Sequence, residues 1–206
     1  MYDFIAQSNG EIFYNANDPI LVDYLPNVNT HSYGEDNADI TGEIVSLTPF
    51  VNFTWKSKSD MSDVVKSHLI GHYNFINFLT AVSIGKYFGV SNPQINHAIE
   101  NYKPSNNRSQ VEKTNRNTLV VDCYNANPTS MKAAIDSFIM IASPNKIMVL
   151  GDMLELGHIS NEEHLSIANF VIENKLNTIL IGELFAEVKS GLKHYYTVDD
   201  MIELET

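Results

Sequence analysis

From residue 118 onward, short β-favouring runs alternate with segments of helical periodicity. This alternation limits the fold more than any other feature of the sequence. Strands are predicted at 118–121 (T-L-V-V), 146–150 and 178–181, with a further strand at 195–198. Helices are predicted between them at 128–141, 160–174 and 183–192. Such alternation argues for a mostly parallel sheet flanked by helices. Helix 160–174 opens on Ser160 with Glu163 three residues later, the spacing of a capping box. Asn127 is a good N-cap, and Pro128 suits the first helical position.

The first hundred residues read differently. Residues 2–7 form a short predicted helix closed by Asn9-Gly10, a helix stop signal. Residues 11–15 read as a strand, followed by turn chemistry in Asn17-Asp18-Pro19. Between 30 and 70, the β-favouring runs Ile44-Val45, 50–55 and 64–70 are separated by turn-rich or polar stretches, which predicts antiparallel pairing. Gly71 introduces a helix with Phe75, Phe78, Leu79 and Val82 at i, i+3, i+4 and i+7, one apolar face. Gly89 ends it. A second short helix, 93–102, carries Ile95 and Ile99 on one side. Residues 103–117 are polar, with Pro104 and Asn106-Asn107, and form the best candidate for a domain boundary. Two domains are therefore expected, 1–103 and 104–206. The opening on a lone helix and strand, and the stop at Thr206 soon after Asp199-Asp200 start a helix, carry the expectation of a longer parent protein.

Composition narrows the function. Lys and Arg total 13 against 25 Asp and Glu, a formal net charge of −12. A diffuse negative surface argues against non-specific nucleic-acid binding. It is compatible with one anionic nucleotide, because a few local donors outweigh a diffuse field. The single cysteine, Cys123, excludes an intrachain disulfide and reads as a packing residue, with no base nearby to activate it. No apolar run approaches the roughly 18 residues of a membrane span. The start, M-Y-D-F-I-A-Q-S, lacks the features of a signal peptide. A cytoplasmic protein is expected, with no membrane or nucleic-acid partner.

In open α/β sheets, ligands sit beyond the carboxyl ends of the strands. Two such ends are rich in chemistry. Asp122 follows T-L-V-V directly, with Tyr124, Asn125 and Asn127 next. A strand-end carboxylate can accept hydrogen bonds from ribose hydroxyls, and the Asn amides can donate and accept. The plain alternative, which local rules favour, is that Asp122 and Asn125 only satisfy turn and cap backbone groups. The second end is Gly151-Asp152-Met153-Leu154-Glu155-Leu156-Gly157, where two glycines bracket two carboxylates. It suits a loop that holds a substrate amine or orients a partner domain, or else an ordinary βα loop with glycines at positive φ. His72 and His164 are isolated and do not form a metal site.

Taken together, D-C-Y-N-A-N-P-T-S-M at 122–131, V-L-G-D-M-L-E-L-G at 149–157 and E-E-H-L at 162–165 closely resemble the Mur ligase family. Upstream pieces agree. Asn15-Ala16-Asn17-Asp18-Pro19 is similar to the family's N-x-D-D stretch. G-H-Y-N-F-I-N at 71–77 is similar to its G-x-H-N-x-x-N motif, and Asn106-Asn107-Arg108-Ser109-Gln110 to its arginine-bearing segment. The likeness covers essentially the whole chain. Within the family it is to the branch that adds D-Ala-D-Ala to UDP-N-acetylmuramoyl-tripeptide, using ATP and magnesium, in peptidoglycan synthesis. The resemblance implies a C-terminal Rossmann-like, mostly parallel sheet with flanking helices. Before it would come the end of a central ATP-binding domain with antiparallel strands and helices. In that family ATP converts the substrate carboxylate to an acyl phosphate, which the incoming amine attacks. By resemblance, Asn74 and Asn77 contact the nucleotide and Asp122 holds the ribose. Arg108 approaches the phosphates, Tyr124 and Asn125 lie near the nucleoside, and Asn127 lies at the adjoining helix start. Asp152 and Glu155 would meet the incoming dipeptide or a domain contact. Each has a plainer alternative: a helix cap for Asn74, local packing for Asn77 and Tyr124, and a solvated charge for Arg108.

The sequence also departs from the family. Asn17 stands where Asp is frequent, and Tyr73 where His is frequent. No G-x-x-x-x-G-K-[ST] phosphate loop is present. The nearest match, Gly85-Lys86, lies in a helical pattern, is followed by Tyr87 and has Thr80 in place of the first glycine. In the family that loop, the magnesium ligands and a modified lysine lie upstream of the residues matched here. The expectation is an ATP-dependent ligase of which this chain alone is inactive. Two readings compete: an amide ligase with another amino-acid or folate substrate, and a non-catalytic nucleotide-binding or scaffold protein with the same fold.

Overall fold

The computed structural model describes residues 2–8, 10–105, 107–188 and 190–205. Asn9 of the expected helix stop and Asn106 of the polar boundary lie outside the described residues. Two compact units emerge: Met1–Ser105 with Ser109–Val120, and Asn106–Arg108 with Val121–Thr206.

The first unit begins with α1 (Tyr2–Gln7), β1 (Ile12–Asn15) and α2 (Pro19–Asp23). The expected turn is present at Ala16-Asn17, with Asp18 N donating to Asn15 O at 3.2 Å, and it leads directly into α2. Asp18 Oδ1 accepts from the Ile20 and Leu21 amides at 3.0 and 3.2 Å, with Pro19 leading the helix. Strands β2 (Thr30–Gly34), β3 (Ile40–Ser46), β4 (Asn52–Lys56) and β5 (Val65–Lys66) then complete a sheet of order β1-β2-β3-β4-β5.

Pairing is antiparallel from β3 to β5, as expected, but parallel between β1 and β2 and between β2 and β3. The sequence T-H-S-Y-G of β2 shows no apolar alternation. It is held by the ladder to β1 and by the Asp39 carboxylate, which accepts from Ser32 N at 3.1 Å and Ser32 Oγ at 2.8 Å. A parallel pair normally needs a connection of about a dozen residues. Here a short loop suffices, because only Tyr33↔Ile40 and Gly34↔Thr41 are aligned.

Helices α3 (His72–Tyr87) and α4 (Asn92–Asn101) cover this sheet. The predicted face of α3 is the buried one: Phe75, Phe78, Leu79 and Val82 pack with Val51, Phe53, Trp55 and Val65. Each such side chain contributes about 1.5–3 kcal/mol when fully buried. Phe53 stacks on Phe78 with centroids 5.2 Å apart, and Trp55 Nε1 donates to Asn96 Oδ1 at 2.8 Å, fastening α4.

The polar stretch 103–117 is not all linker. It contains β6 (Gln110–Lys113), which pairs with β7 (Thr118–Val121) as a separate two-stranded sheet. A turn joins them, with the Thr114 amide donating to Asn117 O at 2.8 Å. The apolar run T-L-V-V therefore pairs locally instead of joining the parallel sheet, and Leu119 and Val120 stay exposed.

The second unit continues with α5 (Pro128–Met140), β8 (Met148–Gly151), α6 (Ser160–Glu173), β9 (Thr178–Ile181), α7 (Glu183–Glu187), β10 (Lys193–Tyr195) and α8 (Val198–Glu205). The sheet has the order β10-β9-β8, and both pairings are parallel, as the alternation requires. Its core is built from Ile135, Met153, Val171, Leu180 and Phe185, with Met131, Leu150 and Ile167 around them. The expected capping box at Ser160 is absent. A 3-10 turn over Gly157–Ile159 leads into α6, so Ser160 is already helical (φ −53°, ψ −52°) and Ile159 is the cap residue.

Candidate functional site

In the second unit the chemistry gathers where residues 107–108 meet the segment after β7. The Cys123 amide donates to Asn107 O at 2.8 Å. Arg108 lies between two residues of left-handed backbone, Asn107 (φ 57°) and Ser109 (φ 50°). Its guanidinium carbon sits 3.6 Å from the centroid of the Tyr124 ring. Among the described residues, Arg108 forms no ion pair with a carboxylate. Face stacking uses the π surface of the guanidinium and leaves its in-plane N–H donors for an anion.

Asp122, Cys123, Tyr124 and Asn125 are all exposed, Tyr124 by 62%. Cys123 is therefore not the packing residue expected. Asn127 takes the capping role: its Oδ1 accepts from the Ser130 amide at 3.0 Å, and its own amide donates to Ser130 Oγ at 3.1 Å. That reciprocal pair starts α5 and occupies the Asn127 side-chain oxygen. Asn125 contributes its backbone carbonyl to the same turn, accepting from Ser130 Oγ at 3.3 Å.

In the first unit, Gly71 (φ 87°) precedes α3, and Asn74 lies in the first turn. Asn74 is buried and acts as a hub. Its amide donates to Ile70 O at 2.7 Å and to Ser109 Oγ at 3.2 Å, and its Oδ1 accepts from Asn77 at 3.3 Å. Both Asn74 donors are engaged, leaving one lone pair for a further contact. Tyr73 also hydrogen-bonds Ser109 through its hydroxyl. Asn77 is exposed. Ser109, in the middle of this network, was legible in the sequence only as a member of the arginine-bearing segment, with no role of its own. Asn17 ties the end of β1 to the loop after β2, accepting from the Glu35 amide at 2.7 Å and donating to Asp36 at 2.6 Å.

The second strand end is more structural than the sequence suggests. Asp152 follows β8, and its two oxygens accept from Leu184 N and Phe185 N, each at 2.9 Å. It therefore caps the start of α7. Met153 is fully buried in the core, while Leu154 and Glu155 are exposed. Glu155 (φ 65°) and Gly157 (φ 58°) turn the loop. His164 is fully buried with both ring nitrogens engaged: Nε2 accepts from Met153 N at 3.0 Å, and Nδ1 lies 2.7 Å from Ser160 O. Those partners assign the proton to Nδ1 and a neutral ring. The Asp152 carboxylate 3.9 Å away is therefore a neighbour rather than an ion pair.

Three carboxylates outside this site hold their protons less tightly than usual. A hydrogen bond from His31 lowers Glu11, the Ser32 backbone amide lowers Asp39, and Lys86 lowers Asp60. All three belong to the first unit. Among the described residues, no three His, Cys, Asp or Glu side chains converge as metal ligands. No helix among them is long and apolar enough to cross a membrane.

The chain is similar in sequence and fold to known proteins. Residues 107–204 match the family described as Mur ligase, glutamate ligase domain. The UDP-N-acetylmuramoyl-tripeptide–D-alanyl-D-alanine ligase of Bacillus subtilis is 28% identical over 194 residues, 92% of this chain and 42% of its own length. A crystal structure of MurF from Acinetobacter baumannii superposes with a TM-score of 0.84 and 26% identity, covering 96% of this chain and 45% of that one. MurF from Thermotoga maritima in complex with ADP has the same fold, with a TM-score of 0.78 at 20% identity over 95% of this chain and 46% of that one. The chain thus spans less than half the length of these relatives.

Proposed function

We propose that the chain belongs to the Mur ligases of MurF type, which it resembles in sequence and fold, and that it works as part of an ATP-dependent ligase joining D-Ala-D-Ala to UDP-N-acetylmuramoyl-tripeptide in cytoplasmic peptidoglycan synthesis. The observation that carries the proposal is the grouping of Arg108, Asp122 and Tyr124 about the Asn107–Cys123 hydrogen bond, in a chain with the MurF fold along 96% of its length. In this reading, residues 1–103 end the central ATP-binding domain and 104–206 form most of the C-terminal domain.

Bound ATP supplies the phosphoryl group that turns the tripeptide carboxylate into an acyl phosphate. The residues of this chain bind and orient. Asp122 accepts hydrogen bonds from ribose hydroxyls, as an exposed carboxylate can. Arg108 offers its planar donors to phosphate oxygens, a match that a lysine would not reproduce. Asn125 lies beside the nucleoside, and Asn127 sets the chain direction there by starting α5. In the first unit, exposed Asn77 is the nucleotide contact, and Asn74 holds it in place with its one remaining lone pair available. Glu155, the exposed carboxylate of the G-D-M-L-E-L-G loop, meets the dipeptide ammonium, while Asp152 holds that loop to α7. Magnesium has no three-ligand site among the described residues, so no step is assigned to it here.

The absence of a G-x-x-x-x-G-K-[ST] motif favours one further reading, a binding protein with this fold that has no phosphate loop. ATP-dependent phosphate release with UDP-tripeptide and D-Ala-D-Ala separates the two. The ligase that contains this segment is expected to turn over, and the 206-residue chain alone is not. Turnover by the chain alone, or none by the intact protein, overturns the proposal.

A further inference from the structure

We propose that Tyr124 is a positioning residue for Arg108: its ring holds the guanidinium plane so that the fork is presented to the nucleotide phosphates in one orientation. This rests on the ligase reading above. It changes what Tyr124 does, from a wall of the nucleoside site to a support for the phosphate-binding arm.

Three observations point the same way. The guanidinium carbon lies 3.6 Å from the ring centroid, which is contact distance for stacked planes, so that face of Tyr124 is occupied by arginine. The two segments are pinned together by backbone, Cys123 N to Asn107 O at 2.8 Å, one residue from each partner of the stack. Arg108 is also flanked by non-glycine residues at φ 57° and 50°. Such backbone persists where its surroundings over-determine it, and it clusters at ligand clamps. An exposed arginine without these supports would sample many rotamers. Here the main chain is fixed on both sides and the side chain is laid on a ring, so less order remains to be imposed when an anion arrives. Tyr124 is 62% exposed, so its ring adds little to the core.

The proposal separates the phenol ring from its hydroxyl and the phosphates from the base. In the intact ligase, ADP and adenosine affinities are measured for wild type, Tyr124→Phe, Tyr124→Leu, Arg108→Lys and the Tyr124→Leu/Arg108→Lys pair. Tyr124→Leu is expected to weaken ADP about threefold to fivefold, the size of one exposed cation–π contact. It should leave adenosine unchanged. Tyr124→Phe should restore ADP binding, and Tyr124→Leu should add nothing once Arg108 is lysine. A Tyr124→Leu variant that loses adenosine as much as ADP, or whose effect adds fully to that of Arg108→Lys, overturns the proposal. Failure of the ligase reading shows separately, as no turnover by wild type. The stack is then judged by arginine side-chain NMR of this chain, in which Arg108 and Arg116 are the two arginines. Ring-current-shifted Arg108 protons should lose that shift in Tyr124→Leu and keep it in Tyr124→Phe; no change in Tyr124→Leu overturns the stack itself.

Discussion

The carboxyl group of Asp152 stands where a side chain on Gly182 would have to go. A Cβ built on Gly182 would lie 2.2 Å from Asp152 Cγ. Gly182 precedes α7 at φ 125°, a backbone conformation that L residues rarely adopt. The missing side chain lets the end of β8 reach the first amides of α7, so two successive strand ends are tied together.

Gly182→Ala combines a backbone penalty with a steric one. Because the nearest atoms belong to a carboxylate already bound to α7, the clash cannot be relieved without breaking those bonds. The expected cost is about 2–4 kcal/mol, read as a lower urea midpoint with an unchanged m-value.

Asp152→Ala leaves the Leu184 and Phe185 amides without their acceptor. Hydrogen bonds to a charged group contribute about 1.5–3 kcal/mol each, and burial limits replacement by water. A stability loss of about 2–3 kcal/mol is expected, with Asp152→Asn milder. In the ligase proposed above, the D-Ala-D-Ala KM should follow loop stability. A raised KM with unchanged stability would return Asp152 to direct substrate contact.

Acid should weaken the first unit through Asp39. Its pKa is depressed below the ordinary 3.8, first by the Ser32 amide, with burial opposing and the Ser32 hydroxyl and Lys58 assisting. A depressed carboxylate stabilises the fold fully above its unfolded value. That contribution declines as pH falls through 3.8 and is gone below the folded value. Urea midpoints followed from about pH 6 to about pH 3 should fall less steeply in Asp39→Asn than in wild type. Parallel slopes would remove Asp39 from the account.

Phe53→Ala removes a fully buried ring that stacks on Phe78 and meets Phe75 edge-on. The expected loss is about 3–5 kcal/mol, visible as early melting of the first unit by amide hydrogen exchange. Protection that falls equally across the second unit would mean the two cores unfold together.

Much of this architecture is legible in local patterns. Phe75, Phe78, Leu79 and Val82 give the buried face of α3 directly, because helical neighbours share one side. Asn127-Pro128 marks the start of α5, because capping is chemistry within four residues. The parallel sheet of the second unit follows from strand–helix alternation. Three features escaped. Strand β2 is polar and is held by Asp39 rather than by an apolar face. The T-L-V-V run found its partner in the polar stretch before it. The capping box at Ser160 was pre-empted when a 3-10 turn started the helix one residue early.

The sequence by itself determined the order and type of most elements and the motifs that resemble the Mur ligases. Those depend on spacings of two to four residues and on motifs that are continuous in the chain. Only the tertiary structure decided which partners each polar group meets. Asp152 and Gly182, thirty residues apart, close a helix cap, and Arg108 and Tyr124, sixteen apart, form one stacked arm. A side chain's hydrogen-bonding capacity is used up by whichever partners folding brings to it. The residues alone therefore could not show that Asp152 is engaged inside the unit while Arg108 lies over the Tyr124 ring.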